Sequence, residues 1–234
     1  MRDRLALAAD LPLPQALAVY AKVAAFVGVA KVGLSLFVEH GPAAVKAFGD
    51  QGARVVLDLK LHDIPNTVEL AAARAGGLGV AYLTVHAAGG RAMVEAAVRG
   101  AKAGAASAGH AAPIVLAVTV LTSMDDAALS ATGVPVSVQA QVGRLAAIAA
   151  QAGAGGLVCS VKEAGAVRLI IGPTMVVCTP GIRLAGAAAD DQARVDTPEA
   201  AVRAGSNLLV LGRPIYEAAD PAKAAEAILA SISR

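Results

Sequence analysis

The stretch Val55-Val56-Leu57-Asp58-Leu59-Lys60-Leu61-His62-Asp63-Ile64-Pro65-Asn66-Thr67 decides how this chain is read. Its apolar entry, Val55-Val56-Leu57, has the character of a buried strand. Side chains alternate faces along a strand, so Asp58 and Lys60 are expected to point the same way at its C-terminal end. Asp63 then falls in a turn, and Pro65 and Asn66 open a helical pattern running through Val68-Glu69-Leu70-Ala71-Ala72-Ala73. Burying charges costs several kcal/mol per ion unless they are paired and hydrogen-bonded. A lone Asp-x-Lys would pass for a structural ion pair. Here the second Asp supplies one Lys with excess negative charge, which points to a functional site.

Working outward, the same strand-then-helix unit recurs about eight times. Strands are expected at Leu5 to Ala9, Val27 to Val32, Arg54 to Leu59, Ala81 to Val85, Ile114 to Val118, Gly156 to Cys159, Met175 to Cys178 and Leu208 to Leu211. Helical patterns lie between them, among them Leu13 to Ala25, Met93 to Ala106, Val138 to Ala152 and Pro221 to Ile232. Continuously apolar strands alternating with helices imply a parallel sheet covered by helices. Eight such repeats favour closure into a (β/α)8 barrel, the TIM-barrel class, with residues 1–234 as one domain. A doubly wound open sheet needs a Gly-rich first turn to bind a nucleotide, and Asp10-Leu11-Pro12-Leu13-Pro14 does not supply one.

Composition agrees. The chain is 56% hydrophobic but only 3% aromatic, so its hydropathy comes from Ala and Gly and not from a membrane span. The opening run Leu5-Ala6-Leu7-Ala8-Ala9 is too short for a signal peptide and is closed by Asp10. A net charge of +2, with scattered basic residues, gives no nucleic-acid footprint. Cys159 and Cys178 have neither metal-ligand nor disulfide-framework spacing and are read as small core residues in a reducing compartment. We therefore expect a soluble, cytoplasmic protein with no membrane or nucleic-acid partner.

Active sites of such barrels lie at the C-terminal ends of the strands. Those ends carry Asp10, Lys31, Asp58 and Lys60, His86, then Thr119, Thr122 and Ser123, then Thr179-Pro180-Gly181-Ile182-Arg183, and finally Gly212-Arg213. Each has a structural alternative. Asp10 could cap the first helix. Thr122 and Ser123 could cap a short helix beginning near Met124. His86, with no metal-spaced partner, is expected to be a hydrogen-bonded rim residue. Lys31 sits in an apolar run, where an unpaired Lys is rare.

The segment between Cys178 and Asp196 is long and patternless, as a closing lid would be, with Arg183 at its entry and Gln192 near its exit. Loops after strands seven and eight of these barrels often bind phosphate. Gly212 would admit backbone N–H groups close to an anion, and Arg213 would add a charge-assisted donor.

Asp58-x-Lys60-x-x-Asp63 followed by Ile64-Pro65-Asn66-Thr67 resembles the signature of the orotidine 5′-phosphate decarboxylase family. Thr179-Pro180-Gly181-Ile182-Arg183, the downstream Gln192, Gly212-Arg213-Pro214 and Val118-Thr119-Val120-Leu121-Thr122-Ser123-Met124 extend the resemblance from Asp10 to Arg213. The resemblance implies cofactor-free conversion of orotidine 5′-monophosphate to UMP and CO2. Asp58, Lys60 and Asp63 would surround the scissile carboxylate. Asp10 and Lys31 would contact the ribose hydroxyls, Thr67 the ribose side and Thr122 the pyrimidine. Arg183, Gln192, Gly212 and Arg213 would hold the 5′-phosphate. It also implies a homodimer in which Asp63, Ile64 and Thr67 enter the partner's site.

No metal-ligand cluster and no cofactor motif is legible, so the chemistry is expected to rest on electrostatics and positioning. Carboxylates on either side favour the charged form of Lys60, which suits a proton donor and not a Schiff base. Three rival readings fit parts of the sequence. A Mg²⁺-dependent sugar-phosphate decarboxylase or synthase would typically carry a Glu near the second strand, where this chain has Lys31. A Schiff-base aldolase would use Lys31 or Lys60. A non-catalytic phospho-metabolite-binding barrel would have no need of Asp58, Lys60 and Asp63 together.

Overall fold

The structure, a computed structural model, describes residues 1–8, 10–182 and 196–233. Eight parallel strands close into a barrel in sequence order: β1 (Leu5–Leu7), β2 (Val29–Val32), β3 (Arg54–Leu61), β4 (Tyr82–His86), β5 (Ile114–Val118), β6 (Gly156–Val158), β7 (Val176–Thr179) and β8 (Leu208–Leu211). Helices run outside them: α1 (Leu13–Val23), α2 (Leu34–His40), α3 (Pro42–Asp50), α4 (Pro65–Gly77), α5 (Gly90–Ser107) and α6 (Asp126–Ala131). They continue as α7 (Val138–Gln151), α8 (Val161–Ile171), α9 (Pro198–Arg203), α10 (Arg213–Tyr216) and α11 (Pro221–Ser231). Every strand predicted from the sequence is present, and each shifts by at most two residues at either end among the described positions; β1, β2 and β6 shorten, β3 lengthens, and β4 and β7 move one residue along the chain. Ala9 itself lies outside the described residues.

The alternation of side chains explains why the strands read as unbroken apolar runs. Ala6, Ala8, Val29, Val56, Tyr82, Leu116, Cys178, Leu208 and Val210 point inward and fill the barrel. Their neighbours Leu5, Leu7, Leu57, Leu83, Leu157, Leu209 and Leu211 point outward and pack beneath the helices. A strand buried on both faces has no polar side to show. Cys178 and Cys159 fall in these two separate layers, both buried and neither in a disulfide.

Small residues let some elements approach closely. On α5, a Cβ at Gly100 would lie 2.1 Å from the Glu69 carbonyl oxygen, and one at Gly104 only 1.8 Å from that of Ala73. Gly76 on α4 faces the Ala101 carbonyl oxygen in the same way, at 2.2 Å. The two helices therefore meet backbone to backbone, and Arg99 closes the seam with a 2.7 Å ion pair to Glu69. Because α4 begins at Pro65, this seam also fixes the helix that carries the end of the signature stretch.

The opposite rim, away from the strand C-termini, is tied by one side chain. Arg168 on α8 donates to the carbonyl oxygens of Gly172 and Met175, each at 2.8 Å, to that of Gly205 at 2.7 Å, and to Asn207 Oδ1. Asn207 Oδ1 also accepts from the Val177 amide, at 2.9 Å. One guanidinium thus joins the loops entering β7 and β8. Arg168→Ala should destabilise the fold by about 2–4 kcal/mol, since hydrogen bonds to a charged donor are the costlier ones to lose. Urea unfolding at neutral pH measures this, and an unchanged midpoint would contradict the role.

Candidate active site

A cavity of about 320 Å³ opens at the C-terminal end of the strands. Its floor is the upper inward layer, including Ala8, Val56, Cys178 and Val210, and its walls mix apolar residues such as Val120 and Leu121 with polar ones. Asp10, Lys31, Asp58, Lys60, Thr122, Gly212 and Arg213 all line it. Residues from five strand ends or the loops after them thus meet at one place, as the sequence predicted.

The centre of this site is a bulge in β3. Leu57 pairs with Leu83 on β4, but the next matched pair is Leu61 with Val85. Asp58, Leu59 and Lys60 therefore lie opposite Thr84 alone. Lys60 takes up the extra length with a positive φ of 50°, the one such non-glycine residue among those described. This left-handed conformation is uncommon outside glycine, and strain of this kind gathers at functional sites. The sequence reading placed Asp58 and Lys60 on one face of a regular strand. They do converge, but by a bulge and not by simple alternation.

Thr84 holds the bulge. Its Oγ1 accepts from the Lys60 amide at 2.9 Å and donates to Asp58 Oδ1 at 2.9 Å. The other oxygen of Asp58 accepts from Lys60 Nζ at 2.8 Å, and Lys31 Nζ stands 3.7 Å away. Lys31 also reaches Asp10 Oδ1, at 3.4 Å. The result is a chain of alternating charge, Asp10, Lys31, Asp58, Lys60. Burial alone would push the Asp58 carboxyl upward. The charges of Lys31 and Lys60 and the hydrogen bonds from Lys60 and Thr84 outweigh it, and the carboxyl is held below its ordinary range. Asp58 is therefore a carboxylate at neutral pH.

Several structural alternatives can now be decided. Pro12 occupies the N-cap of α1 and no side chain caps that helix, so Asp10 is free of that role and pairs with Lys31 instead. Helix α6 is capped by Asp125, whose carboxylate accepts from the Ala128 amide, and not by Thr122 or Ser123. Gly212 touches the barrel closely: a Cβ there would lie 2.9 Å from the Ala8 carbonyl oxygen. His86 differs from expectation, because its described contact is a ring stack on His62 and not a hydrogen bond.

Not every candidate converges. Asp63 and Thr67 are exposed and do not line the cavity of their own chain. Asp63 Oδ1 accepts from the Ile64 amide next to it, and Thr67 lies in the first turn of α4. Arg183 and Gln192, with the lid expected between them, lie outside the described residues. The ends of that segment are defined: Ile182 is fully buried and forms a parallel bridge with Asp196.

Comparison with known proteins follows this geometry. The model of the family described as "Orotidine 5'-phosphate decarboxylase / HUMPS family" matches residues 3–228. The chain belongs to this family. A protein of Anaeromyxobacter sp. (strain K) named orotidine 5′-phosphate decarboxylase is 54% identical over 231 residues, covering 98% of each chain. One of the same name from Thermobifida fusca is 52% identical over 217 residues, covering 92% of this chain and 88% of the relative. The crystal structure of orotidine 5′-phosphate decarboxylase from Lactobacillus acidophilus superposes with a TM-score of 0.87 at 37% identity, covering all of both chains. The fold and family implied by the signature stretch are thereby established.

Within this family member, Thr84 and Tyr216 are cavity residues that sequence reasoning passed over. Thr84 sits in the apolar run Tyr82-Leu83-Thr84-Val85, where a β-branched residue suits a strand. Its signal was positional: a polar side chain facing inward near a strand's C-terminal end. Tyr216 belongs to α10, directly after Gly212-Arg213-Pro214, and could have been found by following that motif one turn further.

Thr84→Val keeps the shape of the side chain and removes both bonds of its hydroxyl. The Lys60 amide and Asp58 Oδ1 are left without that partner, at a cost of about 1–3 kcal/mol. We expect a lower urea midpoint and an upward shift of the Asp58 carboxyl. A carbon-detected pH titration that leaves Asp58 unchanged would show that the hydroxyl does not hold this carboxylate.

Proposed function

We infer that this chain is a carboxy-lyase that converts orotidine 5′-monophosphate to UMP and CO2, the last step of UMP biosynthesis, with Lys60 as the proton donor. The observation that carries the mechanism is the Lys60–Asp58–Lys31 array lining the cavity. In this reading the bond from C6 of the pyrimidine to the carboxylate breaks, and its electron pair stays on C6. The Lys60 ammonium stabilises that charge and gives C6 a proton. CO2 leaves, and the neutral amine recovers its proton from water. No ring position of the substrate accepts the electron pair well, so a preformed positive charge beside C6 is the useful device. Asp58 keeps Lys60 in place through the 2.8 Å bond and would stand close to the substrate carboxylate.

Asp10 and Lys31 would take the ribose hydroxyls, and Thr122 the pyrimidine. Gly212, Arg213, Arg183 and Gln192 would take the 5′-phosphate. Binding energy from that distant group can be used at the reacting carbon. The mechanism needs no cofactor and no metal, and a biosynthetic role suits the cytoplasm. The whole chain, residues 1–234, would act as one catalytic domain.

Asp63 and Thr67 would act in the site of a second copy. What supports this is their exposure, outside the cavity of their own chain, beside Ile64, which is 65% exposed. Twofold symmetry then makes the two sites reciprocal.

Purified protein should convert orotidine 5′-monophosphate to UMP, and Lys60→Ala should abolish turnover while largely preserving UMP affinity. Turnover near the wild-type rate in that variant would sink the proton-donor assignment. A second test mixes Lys60→Ala with Asp63→Ala under complete subunit exchange. If Asp63 acts in trans, random equimolar pairing makes half the dimers mixed, each with one intact site, so about a quarter of wild-type activity returns. If it acts within its own chain, mixing restores nothing.

A further inference from the structure

The turn that carries Asp63 and Thr67 has few visible holds. Residues 62–67 are all exposed, and the Asp63 carboxylate bonds to the amide beside it. One contact reaches across to another strand. The ring of His62, just past the end of β3, stacks on that of His86 at the end of β4, with centroids 5.4 Å apart and planes tilted by 36°. The Gly89 backbone is also near: a Cβ there would meet the Met93 side chain first and would lie 3.2 Å from His62 Cδ2. His62, itself exposed, thus has a half-buried imidazole as its ring partner and the Gly89 backbone nearby, one residue before Asp63.

We propose that the His62–His86 stack is the positioning element of the Asp63–Thr67 turn and confers on the decarboxylation an acid-side pH dependence of its own. This rests on the reading that Asp63 and Thr67 serve a decarboxylase site. Neither histidine touches substrate in that reading; both act through the turn. The stack is favourable while at least one ring is neutral, and two imidazolium rings at this separation repel. The charged and titratable groups acting on His86 are His62, Lys60 and Asp58. Burial is the largest influence and disfavours the charged ring, His62 and Lys60 add to it, and Asp58 opposes it. The net effect is a His86 that protonates below its ordinary 6.5. The sign follows. An unfolded chain protonates this ring near pH 6.5, so the contribution of the neutral stack is present above that value. It is lost as pH falls from there through the folded value.

Three variants test this: His86→Ala, His62→Ala and His86→Phe, the last keeping an aromatic face without a charge. Hydrogen exchange of the 62–67 amides needs no substrate. It should quicken about tenfold in His86→Ala and stay near wild type in His86→Phe. In turnover, His62→Ala and His86→Ala should each lower kcat/KM about tenfold, and the double variant no further, because both remove one contact. His86→Phe should restore kcat/KM at pH 8 and lose less activity between pH 7 and 5 than wild type, with substrate ionisation common to both. Unchanged exchange in His86→Ala, losses that multiply in the double variant, or an acid limb identical in His86→Phe and wild type would each overturn the proposal. A wild-type protein inert towards orotidine 5′-monophosphate would instead remove the decarboxylase reading, with the exchange data still deciding whether the stack pins the turn.

Discussion

Asp58 stands between two ammonium groups, and the rest of the site is arranged around that fact. A carboxylate with 13% of its side chain exposed cannot remain charged alone. Lys60 at 2.8 Å, Lys31 at 3.7 Å and the Thr84 hydroxyl make the charge tolerable. To bring two residues of one strand into this contact, β3 gives up regular pairing with β4 for the length of the bulge. The barrel can absorb such a defect because the pairs on either side, Leu57 with Leu83 and Leu61 with Val85, restore the ladder.

The division between scaffold and site is also a division between local and distributed causes. The strands form because apolar residues occur in short runs, and each run is buried on both faces by its own neighbours. The helices form because alanine-rich segments follow, several opened by proline in the first turn or capped by Ser, Thr or Asp. The cavity has no local cause. Asp10, Lys31, Asp58, Thr84, Thr122 and Arg213 come from distant parts of the sequence and meet because closure brings all strand ends to one rim.

This explains what could be read in advance. The eight strands were visible because burial writes itself into each run separately. The rim residues were visible because polar side chains at the ends of apolar runs are conspicuous, and because Asp58 to Thr67 resembles a known signature. Thr84 was invisible for the opposite reason: threonine suits a strand on propensity alone, and its importance depends on the register of the strand beside it. The bulge was hidden likewise, since the pattern Asp58-Leu59-Lys60-Leu61 is what a regular strand would also show. His62 and His86 lie far apart in sequence, and nothing in either neighbourhood announces a stack.

The glycine seam between α4 and α5 has a consequence for how this barrel can vary. Most helix pairs touch through side chains, which can be exchanged for others of similar volume. Here the Gly100 and Gly104 positions are filled by the carbonyl oxygens of Glu69 and Ala73, and Gly76 by that of Ala101. Backbone cannot be repacked by choosing another rotamer, so even alanine would wedge the two helices apart. The outer shell is therefore unevenly mutable: the seam behind the signature helix is closed to ordinary drift, while helices that meet through side chains remain open to it.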